Sequence, residues 1–143
     1  MVTGRTDMGF QNPYVSKMTF ELNDGFSGEF DGELGLGLSL NAEQVDENEK
    51  ENVYLSTMSI TLGKRSKEYP FFIETKISAY FFLAKESEMD EHTFVNHSTS
   101  AILYSYARPI ISDMISKSGF PPFNLPFMNF TEMDLNYNDN ENE

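Results

Sequence analysis

Hydrophobic and polar residues alternate along most of the first half of the chain. In residues 14–22, Tyr14, Ser16, Met18, Phe20 and Leu22 fall on one side and Val15, Lys17, Thr19 and Glu21 on the other. Residues 33–40 repeat the pattern, with Leu34, Leu36, Leu38 and Leu40 on one side and Gly35, Gly37 and Ser39 on the other. A period of two belongs to a strand with one buried face. The two glycines leave the far face bare and predict a close approach by another backbone. Residues 41–52 are polar and acidic and predict a surface loop. Residues 53–62 return to a strand pattern, with Tyr54, Met58, Ile60 and Leu62 spaced for one face. Residues 63–68 (GKRSKE) predict a basic turn. Residues 69–84 predict a long strand that is apolar on both faces, Phe71, Ile73, Ile77 and Phe81 alternating with Phe72, Tyr80 and Phe82. Such a sheet needs two coverings, helices on one side and another subunit on the other. Four strands joined by short polar loops predict an antiparallel meander.

The period then changes. After an acidic loop at 86–91, Ser100 is placed to cap a helix over 100–118, with Leu103, Ala107, Ile110 and Met114 as its apolar stripe and Ile111 and Ile115 widening it. Lys117 suits the helix C-terminus and Gly119 its left-handed stop. Pro109 removes the bond to the Ser105 carbonyl, so the helix either bends there or begins later. Residues 120–130 (FPPFNLPFMNF) hold three prolines, which exclude a helix, and an aromatic load that water would not tolerate without cause. Thr131, with Asp134 at the fourth position, predicts the start of a short second helix. Residues 1–12 and 137–143 read as flexible tails of a single domain spanning 1–143.

Composition narrows the chemistry. The chain has 143 residues, a formal net charge of −13 and a pI near 4.4, which disfavours nucleic acid and anionic membrane surfaces as partners. No apolar run suits a signal peptide or a membrane insertion. The absence of cysteine excludes disulfides, thiolate metal sites and a cysteine nucleophile, and fits a cytoplasmic setting. His92 and His97 lack a third ligand at metal spacing, and Gly32, Gly35 and Gly37 lie in a strand pattern, where they cannot open a nucleotide-binding helix. The reading is therefore a non-enzyme with no catalytic residues, no metal and no cofactor. What remains is the aromatic segment, whose phenylalanines either cap the core or line a groove for extended apolar chains.

Residues 102–108 (ILYSYAR), 110–114, 120–125 (FPPFNL) and 128–130 (MNF) resemble the SecB protein-export chaperones. Tyr106, Ala107, Arg108, Phe120, Pro121, Asn124, Leu125, Asn129 and Phe130 fall on motif positions of that family without gaps. Phe20 and Glu21 resemble its first strand, and residues 71–74 its fourth. The resemblance implies an α+β fold: a four-stranded antiparallel sheet with one long and one short helix packed on one face. It implies a homotetramer, a dimer of dimers, that binds unfolded polypeptide clients in hydrophobic grooves and keeps them export-competent for the SecA motor. In this chain the groove would draw on Phe120, Phe123, Leu125, Phe127 and Met128, and SecA docking on Glu21, Phe72 and Glu74. Lys17 stands where the family has an acid and reverses one docking charge. That departure leaves a second reading, a SecB-like chaperone or adaptor dedicated to one partner, phage-borne or toxin–antitoxin-associated and not coupled to SecA.

Overall fold

A computed structural model describes residues 8–26 and 33–132 of the chain. Five strands form one antiparallel sheet: β1 (Met8–Phe10), β2 (Tyr14–Leu22), β3 (Leu36–Glu47), β4 (Glu51–Gly63) and β5 (Phe71–Ala84). β5 pairs with β4, and β4 with β3. β1 and β2 share the other edge of β5: Met8 opposes Leu83, and further along the same edge Leu22 opposes Phe71. The two are in effect one edge strand interrupted at residues 11–13, where Pro13 has no N–H to give. The sheet is thus four strands wide, as predicted, with one edge divided, but only β3, β4 and β5 form the predicted meander, because β2 pairs with β5 at the far edge and not with β3. Residues 8–10 belong to the sheet and not to a flexible tail. They are held because Met8 packs against the core, and the partly exposed Phe10 ring lies 5.8 Å from that of Phe81.

The period-two patterns become the two faces of the sheet. Tyr54, Met58, Ile60 and Leu62 of β4 and Phe71, Ile73, Ile77, Ala79 and Phe81 of β5 are buried on the helix side. The alternate residues Phe72, Glu74, Lys76 and Phe82 face the other way and are half-buried. β3 runs seven residues beyond its predicted end. Residues 41–47 continue the strand and only 48–50 form the hairpin, in which Asn48 Oδ1 accepts from the N–H groups of Lys50 and Glu51 at 2.8 and 2.9 Å. Polar residues hide this extension because past Ala42 the edge strand leaves the core and both its faces are exposed. At Gly37 a Cβ would lie 2.5 Å from Thr61 Oγ1, so the close approach is by a neighbouring side chain, not by backbone as predicted.

The helix starts ten residues before its predicted cap. Asp90, not Ser100, is the N-cap, its carboxylate accepting the Thr93 N–H at 2.6 Å. From there α1 (Glu91–Thr93) passes without a break through a π-helical stretch (Phe94–Thr99) into α2 (Ser100–Lys117), which ends at Ser118 and Gly119 (φ 90°). The wide π turn lets Phe94, Val95 and Asn96 all be buried in succession, which an amphipathic α-helix would not do. Pro109 lies within α2 on its exposed side, where the chain continues through it as helix. The buried line of α2 is Leu103, Ala107, Ile111 and Ile115; Ile110 and Met114 sit on its shoulder. A short 3-10 turn follows at Phe130–Glu132. The rest of the predicted second helix and the predicted tail at 137–143 fall outside the described residues.

Candidate functional site

The segment between α2 and the final turn has no regular hydrogen bonding of its own. Pro121, Pro122 and Pro126 cannot donate, so its carbonyls need donors from elsewhere. Two side chains one turn apart on α2 supply them. Arg108 donates twice to the Leu125 carbonyl, from Nε at 3.2 Å and from Nη2 at 2.8 Å. Tyr104 donates its hydroxyl to the Pro126 carbonyl at 2.6 Å. Burial pushes the Tyr104 hydroxyl's pKa up, which keeps it a neutral donor. The neighbouring Ser112 Oγ reaches Asn124 Oδ1 at 3.4 Å.

These ties set which rings face inward. Phe120 packs edge-on against Phe71 at 4.9 Å, and Phe130 against Tyr104 at 5.4 Å. Leu125 is 1% exposed and belongs to the core, so it cannot line a groove as predicted; its place is to anchor the segment. Phe127, two residues on, is 84% exposed. Phe123 and Met128 are half-buried against the core.

Beside this segment lies a groove of about 600 Å³ between Phe123 and Pro126 on one wall and Leu34, Leu36, Leu62 and Tyr69 on the other. Of the five predicted groove residues, Phe123 lines it; Phe120 and Met128 support the segment from within, and Phe127 projects beside it. The sheet wall was missed from sequence. Its signal was the leucine alternation at residues 34–38, which marks half-buried positions at an edge as readily as a core. The two anchors were also missed. Tyr104 and Arg108, four apart beside an apolar stripe and upstream of three prolines, were the available sign.

The opposite face of the sheet brings together Glu21, Phe72 and Glu74, with Glu21 directly opposite Phe72. Their carboxylates are already paired. Lys17 Nζ lies 2.9 Å from Glu74 Oε1, and Arg65 Nε lies 2.6 Å from Glu21 Oε1. The Arg65 guanidinium also stands 4.3 Å from the centre of the Phe72 ring. The hydrogen bond from Lys17, aided by the charges of Lys17, Lys76 and Arg65, holds the Glu74 carboxyl below its usual pKa against the opposing effect of desolvation. Lys17, Arg65 and Lys76 outnumber the two carboxylates on this patch. Among the described residues no group of three His, Cys, Asp or Glu is placed to hold a metal ion, and no helix is long and apolar enough to cross a membrane.

Residues 3–141 match the family model described as SecB, preprotein translocase subunit SecB. The chain belongs to the SecB family. It is 29% identical over 127 residues to the protein-export protein SecB of Psychrobacter arcticus, covering 87% of this chain and 84% of that one. It is 30% identical over 120 residues to SecB of Stenotrophomonas maltophilia, covering 82% and 68%. Among solved structures, the SecB-like chaperone of Mycobacterium tuberculosis, in complex with a peptide from an antitoxin, superposes with a TM-score of 0.63 at 13% identity, covering 85% of this chain and 91% of that one. A Streptococcus agalactiae protein of unknown function gives the same TM-score at 12% identity. The family read from residues 102–130 and the sheet-and-helix fold it implied are those found. In SecB terms, Tyr104 and Arg108 are the side chains that hold this chain's proline-rich crossover in place.

Proposed function

We propose that this SecB-family chain is an export chaperone that holds unfolded preproteins against its proline-rich crossover and the adjoining groove, in the cytoplasm, as a dimer of dimers. One observation carries the reading. A pinned segment with three prolines holds Phe127 84% exposed beside a largely apolar groove of about 600 Å³. A Phe left in water beside such a groove suits a surface that is covered intermittently. Aromatic walls with few polar demands accept many sequences, which suits a holdase. The net charge of −13 repels other copies and keeps an oily surface dispersed. The half-buried Phe82 on the far face of the sheet suits a contact with another subunit. Transfer of client to SecA would use Glu21, Phe72 and Glu74.

The test is a titration of several unrelated unfolded proteins and one folded control, together with sizing in solution. Binding to the unfolded chains alone, by a species near four times 16.4 kDa, supports the proposal. Indifference to unfolded chains refutes it. The ion pairing at Glu21 and Glu74 favours a second reading, a chaperone dedicated to one partner and not coupled to SecA. Selective binding to a single folded partner in the same titration would decide for it.

A further inference from the structure

On the open face of the sheet the chain supplies its own cation at the place where a partner's would dock. Arg65 lies in the turn between β4 and β5, and its side chain occupies two recognition elements at once. Its Nε donates to Glu21 Oε1 at 2.6 Å, while its guanidinium stands 4.3 Å from the Phe72 ring centre. A planar guanidinium can donate in its plane and stack through its face, which an ammonium cannot do as well. The second carboxylate of the patch, Glu74, is held by Lys17 at 2.9 Å. An incoming basic side chain therefore meets no open carboxylate. The Arg65 and Glu21 side chains are nevertheless 61% and 46% exposed, and ion pairs at such exposure hold weakly. The turn that carries Arg65 has no regular secondary structure between Gly63 and Phe71, so the side chain can swing away without disturbing a strand.

We propose that Arg65 is an intramolecular competitor for the docking site. Seated on Glu21 and Phe72, it closes the face to weakly basic segments and yields to a partner that brings its own cation together with further contacts. This rests on the docking role given above to Glu21, Phe72 and Glu74. The occupant expected in its place is a basic protein segment, since a cation already fits both the carboxylate and the ring.

The test uses the full chain and two probes, an oligo-lysine peptide and SecA. Arg65→Ala and Arg65→Gln both remove the guanidinium. Their unchanged urea midpoints would confirm that the fold survives. The expected result is about fivefold tighter binding of both probes at low salt, the loss of one exposed ion pair and one cation–π contact from the unbound side. A second change, Glu21→Ala, should abolish the gain. Unchanged or weaker oligo-lysine binding by both Arg65 variants overturns the competitor. The docking role fails separately if SecA binds the wild type and the Glu21→Lys and Glu74→Lys variants equally well. In that case the oligo-lysine arm still decides what Arg65 does.

Discussion

Phe127 offers the sharpest separation between surface for a client and surface for the fold. Its side chain is 84% exposed, so Phe127→Ala removes nothing that the folded chain uses. Full burial of a Phe side chain is worth about 1.5–3 kcal/mol. A client that covers the exposed 84% would gain roughly 1.3–2.5 kcal/mol from that ring, or about 8- to 60-fold in affinity at 1.4 kcal/mol per decade. The chain contains no Trp, so the tryptophan emission of an unfolded test protein reports binding without interference. Phe127→Ala should weaken that binding by such a factor, leave the urea midpoint in place and allow the test protein to scatter light as it aggregates. Leu125→Ala is the counterpart. At 1% exposure it should cost about 2–5 kcal/mol of stability, with any loss of binding following from unfolding. Wild-type affinity in Phe127→Ala, within twofold, would refute the placing of the client at this ring.

Three further outcomes follow from the geometry. Arg108→Ala leaves the Leu125 carbonyl without its charged donor and should cost about 1.5–3 kcal/mol, with faster amide exchange confined to the segment after Gly119; Tyr104→Phe should add a smaller loss at Pro126, and unchanged exchange in both would disprove the anchoring. Gly63→Ala places a Cβ against the Phe71 carbonyl at φ 72° and should lower stability by at least ~1–2 kcal/mol at fixed protomer concentration, measured by urea unfolding; a neutral result would mean that the turn relaxes freely. Lys17→Ala should return the Glu74 carboxyl toward its usual pKa, read by carbon NMR titration. Because the folded value is depressed, the stability tied to this carboxylate is present above the ordinary carboxylate range and is lost as pH falls through the lowered value, so this acid-dependent loss should shrink in the variant, where the folded and unfolded values draw together.

The strands were legible where one face is buried and the other is not. The inward set on β4 follows from alternation alone, and the bounds of β2 at Tyr14 and Leu22 match its sequence alternation although no residue of that edge strand is buried. Alternation failed where burial stopped. Residues 43–47 of β3 are polar except for Val45 and exposed on both faces because the edge strand there leaves the core, and backbone pairing to β4 holds them without an alternating side-chain signal. The first turns of the helix were hidden for the opposite reason. Residues 94–96 are buried one after another through a π-helical turn, so the period of 3.6 that identifies α2 is absent where the helix begins. In the site, proline content announced an extended segment, but not which rings it exposes. That choice is made at the Leu125 and Pro126 carbonyls by residues 17 and 22 positions away in sequence. The pairing of Glu21 with Arg65, 44 residues apart, depends on the sheet register and had no local trace.

The proline-rich crossover joins two requirements that usually conflict. An adhesive surface must stay open, yet exposed apolar chain tends to collapse or to pair with other chains edge to edge. Three prolines remove three of the backbone donors of this segment, so it cannot offer an unbroken ladder to a client or to another copy. Its carbonyls at 125 and 126 are already taken by Arg108 and Tyr104, which removes two acceptors as well. With these groups tied from behind, the proposed binding would rely more on side chains, of which Phe127 stands outside and Phe123 at the groove wall. Attraction through apolar side chains without backbone pairing is non-directional and scales with the area covered. In the proposed holdase, broad selection of unfolded chains, and release with little strand pairing to undo, would follow from the same two anchoring residues.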